Sequence, residues 1–465
     1  MDHNALSWFR ARAGTIAPAF PKIRRLLTLW TCLTLLPGVL RAQADSAARL
    51  PDQLSLADAR RLVVERNPTL DSARERVRAA LAAVRQAESQ RWPTLDVTAS
   101  ANRTEDVAAA DVAQFVETPY QTYSLKAQLD WLLFTGFRVR SGIAGAEAGA
   151  EAASLNLHDS HRLLSQAVGA AFHQALLARE NVEVAERDAS FNERLKKEAE
   201  KRKSAGTAGR EDVLNFSVRA AQANNQAISA RRDLRTARIA LAEMLHLTPA
   251  KLPERVSLAN PDPKPKDAPD VDAEVQFARK HRPDLEAARR QLEQAKSELT
   301  SARSDNYPQV RGFASAARTR TENSGATDGT GNDISLGIAV SWNAFDAGLT
   351  NAKVEEAAAR IAERRRTLAE LTTKISAEVR SQHEQLDAAL IQLELSEKIL
   401  DMTREIRDIV TRKYSVGQVT ITRLNQTQTD LVRAESQHAA AGIRVRLAQQ
   451  NLDAATGRLT VDRQP

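Results

Sequence analysis

The chain has 465 residues, 42% hydrophobic, 27% charged and 4% aromatic, with a formal net charge of +7. That mixture excludes a multi-span helical membrane protein and a disordered polyelectrolyte tail. A single Cys excludes a disulfide scaffold and a thiolate zinc fold.

The basic excess belongs mainly to the N-terminus. Lys22, Arg24 and Arg25 precede an apolar run from Leu26 to Leu40, and Ala42-Gln43-Ala44 then places small residues around a cleavage point. This is the layout of a secretory signal peptide over residues 1–44, with a run too short for a stable span. Cys32 lies inside the run, with Leu33 to Leu40 still to follow, which argues against lipoprotein cleavage there. Cleavage after Ala44 removes six of 66 basic residues and one of 59 acidic ones, leaving 60 against 58, or +2. The charge argument for nucleic acid goes with the leader.

The elements follow in order. A helix is predicted over Leu54–Ser89, a strand over Thr94–Arg103 and a second at about 123–134. Phe137 to about Ser204 reads as one very long helix, on the order of 100 Å at ~1.5 Å per residue. A helix over Asp212–Leu245 leads to a Pro-rich linker at 247–270. Then come a helix over Ala273–Ser304, strands over Gln309–Thr321 and at about 333–345, a second very long helix from Leu349 to about Ser415, and a helix over Ile421–Thr456. No proline falls between Pro119 and Pro249 or between Pro308 and Pro465. These stretches are rich in strong helix formers, and Leu386, Leu390, Leu393 and Ile399 recur at coiled-coil spacing.

The linker separates two copies of one pattern, residues 45–246 and 271–465. Arg66-Asn67-Pro68-Thr69-Leu70 corresponds to His281-Arg282-Pro283-Asp284-Leu285, and Gln90–Pro93 to Asp305–Pro308, both at an offset of 215. Trp131…Phe134 corresponds to Trp342…Phe345, and Ser204-Ala205-Gly206 to Ser415-Val416-Gly417, at 211.

Each copy carries a hairpin with one apolar and one polar face. Ile334, Leu336, Ile338, Val340 and Trp342 alternate with Ser335, Gly337, Ala339, Ser341 and Asn343. Leu125, Ala127, Leu129 and Trp131 alternate with Ser124, Lys126, Gln128 and Asp130. Alone, such a hairpin also suits a soluble sheet lying on a core. The aromatic distribution favours lipid: of 16 rings outside the leader, eleven lie in Trp92–Phe137 and Tyr307–Phe345. Trp92, Trp131, Phe134, Tyr307, Trp342 and Phe345 cluster at the strand–helix junctions, with Tyr120 and Tyr123 towards the opposite tip. Girdles at both ends of lipid-facing strands mark an outer-membrane barrel. Four strands cannot close one, because the smallest has about eight, so the chain must oligomerise.

A secreted, duplicated chain of long helices with two girdled hairpins resembles the outer-membrane efflux proteins, the TolC-like family, over Leu54 to Leu459. The resemblance is carried by Arg66-Asn67-Pro68, the two strand exits and the helix turns Lys203-Ser204-Ala205-Gly206-Thr207 and Lys413-Tyr414-Ser415-Val416-Gly417-Gln418. It implies a mainly α fold with a small β part: a coiled-coil helical barrel continuing a transmembrane β-barrel, internally duplicated and closed only as a homotrimer of twelve strands. It implies a passive exit duct for a tripartite efflux or type I secretion system, working with a periplasmic adaptor and an inner-membrane pump. Gly206, Gly417, Ser204 and Val416 would form the adaptor-docking tips. Relatives close the tip with a Tyr and an Arg reaching an Asp; Tyr414 and Asp212 fill two of these positions, and Val419 stands where the Arg would be. Arg423 and Gln426 occupy the places of the constriction acids, so an Arg423 ring facing the lumen would be positive; pairing with a neighbouring helix is the other reading.

Other constellations are bland. His158 and His161 lie one turn apart without an evident third ligand. Gly145 and Gly149 suit close helix packing. No phosphate loop, nucleophile elbow or triad is present, and neither an enzyme nor a cofactor is implied. A periplasmic adaptor and a soluble coiled-coil scaffold are the alternatives; neither accounts for the girdled hairpins.

Overall fold

The computed structural model describes residues 50–104, 120–207, 209–259, 267–323 and 329–459, so the leader over 1–44 lies outside the described residues. The first strand, β1 (Gln53–Leu54), leads into α1 (Leu56–Arg66), which a Ser55–Asp58 capping box starts. Asn67 ends α1 and caps α2 (Pro68–Ser89), its side chain accepting from the Thr69 amide at 2.9 Å. The single helix expected over Leu54–Ser89 is therefore two, because Pro68 has no amide to continue the ladder and pushes Asn67 into extended backbone. The same break divides the helix expected over Ala273–Ser304 into α5 (Val271–His281) and α6 (Pro283–Arg303), with Arg282 and Pro283 at the joint.

The hairpin strands are β2 (Thr94–Thr104) and β3 (Tyr120–Phe134), then β5 (Gln309–Asn323) and β6 (Gly329–Ser341). Between them β4 (Ser257–Leu258), inside the Pro-rich linker, pairs in parallel with β1. The long helices are α3 (Arg138–Ser204) and α7 (Leu349–Ser415), 67 residues each, followed by α4 (Arg210–Met244) and α8 (Ile421–Thr456). Phe137 precedes α3 rather than opening it, held in left-handed backbone at φ 73°. Trp342 and Phe345 lie beyond the end of β6, in the turn towards α7.

Helix α3 packs against α2, α4, α6 and α8, while α7 packs against α5, α6 and α8. Alanines fill the α3–α4 seam, with Ala185, Ala189, Ala223, Ala227 and Ala230 buried, which lets the two axes approach closely. A larger core joins α5, α6, α7 and α8 through Val275, Leu285, Ile375, Val379, Leu386, Val445 and Leu452. The C-terminus of α8 enters this region with its last carbonyls exposed to no water. Arg162 donates to the carbonyl of Ala454 at 2.9 Å, and Arg282 to that of Ala455 at 3.0 Å. Both guanidinium groups are buried, and they satisfy acceptors that every helix end leaves unpaired. Among the described residues no helix is long and apolar enough to cross a membrane.

Candidate functional sites: the two-faced sheet and the helix-turn tips

The four long strands form one antiparallel sheet in the order β2-β3-β5-β6. Up to an irregularity between Leu132 and Phe134, its register sorts the side chains into two faces. Val97 lies opposite Ala127, Ala127 opposite Ala316 and Ala316 opposite Ile334; Leu95, Leu129, Ala314 and Leu336 form the next such row. One face is therefore continuous aliphatic surface, yet Leu95, Val97, Leu125, Ile334, Leu336, Ile338 and Val340 are all exposed, Leu336 at 85%. No described part of the chain covers this face. The other face carries Asp96, Thr98, Lys126, Gln128, Asp130, Arg311 and Ser335, where Gln128 donates to Asp130 at 2.6 Å and the Ser315 and Ser335 hydroxyls meet at 2.7 Å. On that polar face the Phe313 ring lies across Gly337, where a Cβ would fall 2.7 Å from its Cζ. Such division into one apolar and one polar face is what strands between lipid and an aqueous lumen require.

The expected girdle residues gather at the helical end of the sheet. The Phe137 ring stands edge-on to Phe134 at 5.7 Å and to Tyr307 at 6.0 Å. The Trp131 indole donates to the Arg91 carbonyl at 3.0 Å, beside exposed Trp92. Trp342 and Phe345 are exposed in the turn just beyond β6. Phe137 belongs to this belt as much as the others; its place one residue before a long helix was the signal. Below it, Arg138 approaches Asp305 at 3.6 Å, and Lys353 binds the same carboxylate at 2.8 Å.

At the far ends of the helices both turns have one geometry. Gly206 and Gly417 adopt φ 74° and 75°. Thr207 donates to the Arg202 carbonyl and Gln418 to that of Lys413, closing each helix with a six-residue bond. A Cβ at either glycine would meet open space, so the left-handed backbone alone selects glycine. Ser204 ties back to the Lys201 carbonyl at 2.7 Å, and Val416 projects into solvent, 67% exposed.

Behind the turns Leu195, Ala199, Phe216, Val410 and Leu424 form a cluster drawn from α3, α4, α7 and α8. Tyr414 sits at its edge, T-shaped to Phe216 at 6.3 Å and beneath the Arg202 guanidinium at 5.6 Å. Burial raises the Tyr414 phenol above its ordinary range; Arg202 opposes this, and Asp212 and Glu198 add to it. Asp212 thus acts on the phenol through space, while the close contacts of Tyr414 are Arg202 and Phe216. Val419 packs against the cluster with Ile421, an apolar role in keeping with its side chain. Arg423 is exposed on the first turn of α8 with no ion pair among the described residues, and Gln426 donates to Asp430 at 3.0 Å.

Two further links cross between the hairpins α3–α4 and α7–α8. Asn425 donates to Asn215 at 3.2 Å, and Gln428 donates to Asp188 at 2.7 Å. Burial raises the Asp188 carboxyl, opposed by its hydrogen bonds from Gln428 and Asn192. Sequence reasoning missed these links, whose partners lie 210 and 240 residues apart. His161 is held below its usual range mainly by burial, then by Arg74 and His158. Among the described residues no three His, Cys, Asp or Glu side chains are placed to hold a metal ion.

A family model described as outer membrane efflux protein matches residues 59–245 and 275–458. The chain is 26% identical to the outer membrane efflux protein BepC of Brucella suis over 348 residues, 74% of either chain. It is 26% identical to protein CyaE of Bordetella pertussis over 471 aligned residues, covering 98% of this chain and 93% of CyaE. Its fold resembles that of the CmeC outer-membrane channel of Campylobacter jejuni with a TM-score of 0.74 and 14% identity, over 88% of this chain and 87% of that one. The chain belongs to the outer membrane efflux protein family: it is an exit duct of the outer membrane serving an efflux or secretion system.

Proposed function

We propose that the duct exists only as a homotrimer in which each protomer, a duplicated unit, supplies four strands and a third of a turn of paired helices to a common wall. The observation that carries this reading is the pair of surfaces the single chain leaves uncovered. The outer strands β2 and β6 each have one unpaired edge, a state that long apolar strands do not sustain in isolation. On α7, exposed Ile391, Leu395, Ile399, Met402, Ile406 and Ile409 follow a four-three spacing, the seam of a coiled coil. On α4, exposed Leu214, Val218, Ile228 and Ile239 share one face. The packing order within the chain is α4, α3, α8, α7, so the α7 seam of one copy is free to meet the α4 face of the next. Twelve strands then close without edges. Duplication is supported by the two matched segments, the equal length of α3 and α7 and the twin turns.

In this reading the polar sheet face, with Ser335, Gly337 and Ser341, lines a hydrated lumen, and the duct passes substrates without an energy source of its own. Gly206, Gly417, Ser204 and Val416 present the periplasmic tips to an adaptor protein, which couples the duct to an inner-membrane pump. Asp212, Tyr414, Arg423 and Gln426 surround the constriction, and the belt of Trp92, Trp131, Phe134, Tyr307, Trp342 and Phe345 meets the inner headgroups. Mass measurement in detergent tests the assembly: a threefold protomer mass is expected, and a stable monomer that still conducts ions in a bilayer would overturn it.

A further inference from the structure

The outward sheet face is not uniform along its length. From the helical end it runs through Val310, Gly312, Ala314 and Ala316 on β5, and through Trp131, Leu129 and Ala127 on β3, without a charge. The next outward residues on β5 are Arg318, Arg320 and Glu322, opposite Leu125, Tyr123 and Gln121. Arg103 is outward on β2 in the row of Gln121 and Glu322. All the outward charges of the four described strands thus lie in the third of the sheet farthest from the helices, three of them arginines. The inward charges Asp96, Lys126, Asp130, Arg311 and Asp333 are instead spread along the strands.

The depth of this cluster follows from the register. Trp131 to Tyr123 is eight residues, about 27 Å along the strand, or about 20 Å of height at the usual barrel tilt. If Trp131 marks one boundary of the hydrocarbon, Tyr123 and its neighbour Arg320 mark the other, which is the outer leaflet. An outward arginine at mid-depth is strongly disfavoured, whereas at the boundary it reaches headgroups. Arg318 and Arg320 are both exposed and lie about 7 Å apart on one strand face. Arg320 holds Glu322 at 2.8 Å, and Arg318 has no ion pair among the described residues. The planar guanidinium offers paired N–H donors matched to phosphate oxygens, and Tyr123 stands beside Arg320.

We propose that Arg318 and Arg320, with Arg103 across the sheet, form a docking surface for the phosphate groups of the phosphorylated glycolipid that makes up the outer leaflet. The commitment to that lipid rests on position: the cluster lies at the end of the sheet remote from the periplasmic helices, and the helical end carries aromatic rings in its place. It also rests on the reading that the apolar face meets lipid. Three copies of the surface would ring the barrel, fixing its depth and its annular lipid together.

The test uses the full mature channel, with native mass spectrometry in detergent against added lipid A carrying both phosphates, phosphate-free lipid A and phosphatidylglycerol. The wild type is expected to retain the bisphosphorylated form at least tenfold more strongly than either of the others. The Arg318→Gln/Arg320→Gln variant is expected to lose about tenfold or more of that retention, and Arg318→Lys/Arg320→Lys, which keeps the charge without the paired donors, to fall between it and the wild type. Arg311→Gln, on the inward face, should change nothing. Equal retention by wild type and the Gln variant, or equal retention of phosphatidylglycerol, would overturn the assignment. A bimane label at Leu336→Cys in vesicles of brominated phospholipid checks the underlying reading separately. Quenching without phosphate dependence defeats only the arginine site, and absence of quenching defeats the lipid-facing sheet together with it.

Discussion

Gly169 on α3 offers the sharpest test of how the two helical hairpins are held together. A Cβ there would fall 1.9 Å from the Gln450 Oε1 and 2.4 Å from its Cδ, so the Gln450 side chain on α8 must leave its place. Gln450 is buried and donates to the Gln166 carbonyl at 2.6 Å. Gly169→Ala gains about 1 kcal/mol of helix propensity. Against this stand about 1–3 kcal/mol for the broken bond and unpaired amide, and about 1–3 kcal/mol for overpacking. The net is a loss of about 1–5 kcal/mol. Gly142 on the same helix has nothing within 4 Å, so Gly142→Ala should show the propensity gain alone. Far-UV circular dichroism melting of the purified channel should rank Gly142→Ala above wild type and Gly169→Ala below it. In a Gln450→Ala background, Gly169→Ala should become neutral or stabilising, a coupling of about 1–6 kcal/mol. Equal destabilisation in both backgrounds would refute the claim that the α3–α8 contact turns on this one side chain.

At the tip, Phe216→Ala removes a ring at the meeting of four helices and should cost about 3–5 kcal/mol of local packing, whereas Tyr414→Phe, which keeps both ring contacts, should be near neutral. Proteolytic nicking of the turns at Gly206 and Gly417 is expected to accelerate in the first variant only. Arg423→Asp should shift the channel towards cation selectivity in bilayer recordings and introduce block by divalent cations; strong cation selectivity already present in the wild type and unaffected by the change would sink the positive-ring idea. Asp188 has a raised carboxyl in the folded protein, so its charged form costs stability at neutral pH, and this cost fades as pH falls towards the ordinary carboxylate value. Asp188→Asn keeps an oxygen to accept from Gln428 and Asn192. It should melt higher than wild type at neutral pH, with the advantage shrinking to nothing on acidification, and an advantage constant with pH would contradict the assignment.

Much of this fold is written in local pattern. The limits of α7 and α8 follow from proline-free runs of helix formers bounded by Gly348, Gly417 and Gly457, each in left-handed backbone. The breaks before Pro68 and Pro283 were legible too, but the helix-forming composition on either side masks them unless the cap residue is weighed first. Strand faces followed from alternation; the grouping of Arg103, Arg318 and Arg320 did not, because alternation within one strand says nothing of register with its neighbours. The tip shows the same limit. Tyr414 could be matched to a known position, but its partners Arg202 and Phe216 come from the other hairpin, and such contacts leave no trace in spacing.

The shape of the uncovered surface distinguishes its partners. The exposed aliphatic residues of the sheet span four strands, from Leu95 and Val97 to Ile334 and Leu336, with no polar residue interrupting the middle rows. A protein neighbour rarely presents so broad a flat match, and bilayer hydrocarbon does so by nature. On α7 the large exposed apolar residues beyond Leu349 lie on one seam, from Ile391 to Ile409, flanked by Glu394, Glu397, Lys398 and Asp401, too narrow and too closely bordered by charge to sit in hydrocarbon. A seam of that width fits one helix, and α4 carries the corresponding face. Under the proposed trimer, lipid and a second copy of the chain would claim separate surfaces, and the boundary between them would fall where the strands give way to α3 and α7, at the belt of Trp131, Phe134, Phe137 and Tyr307.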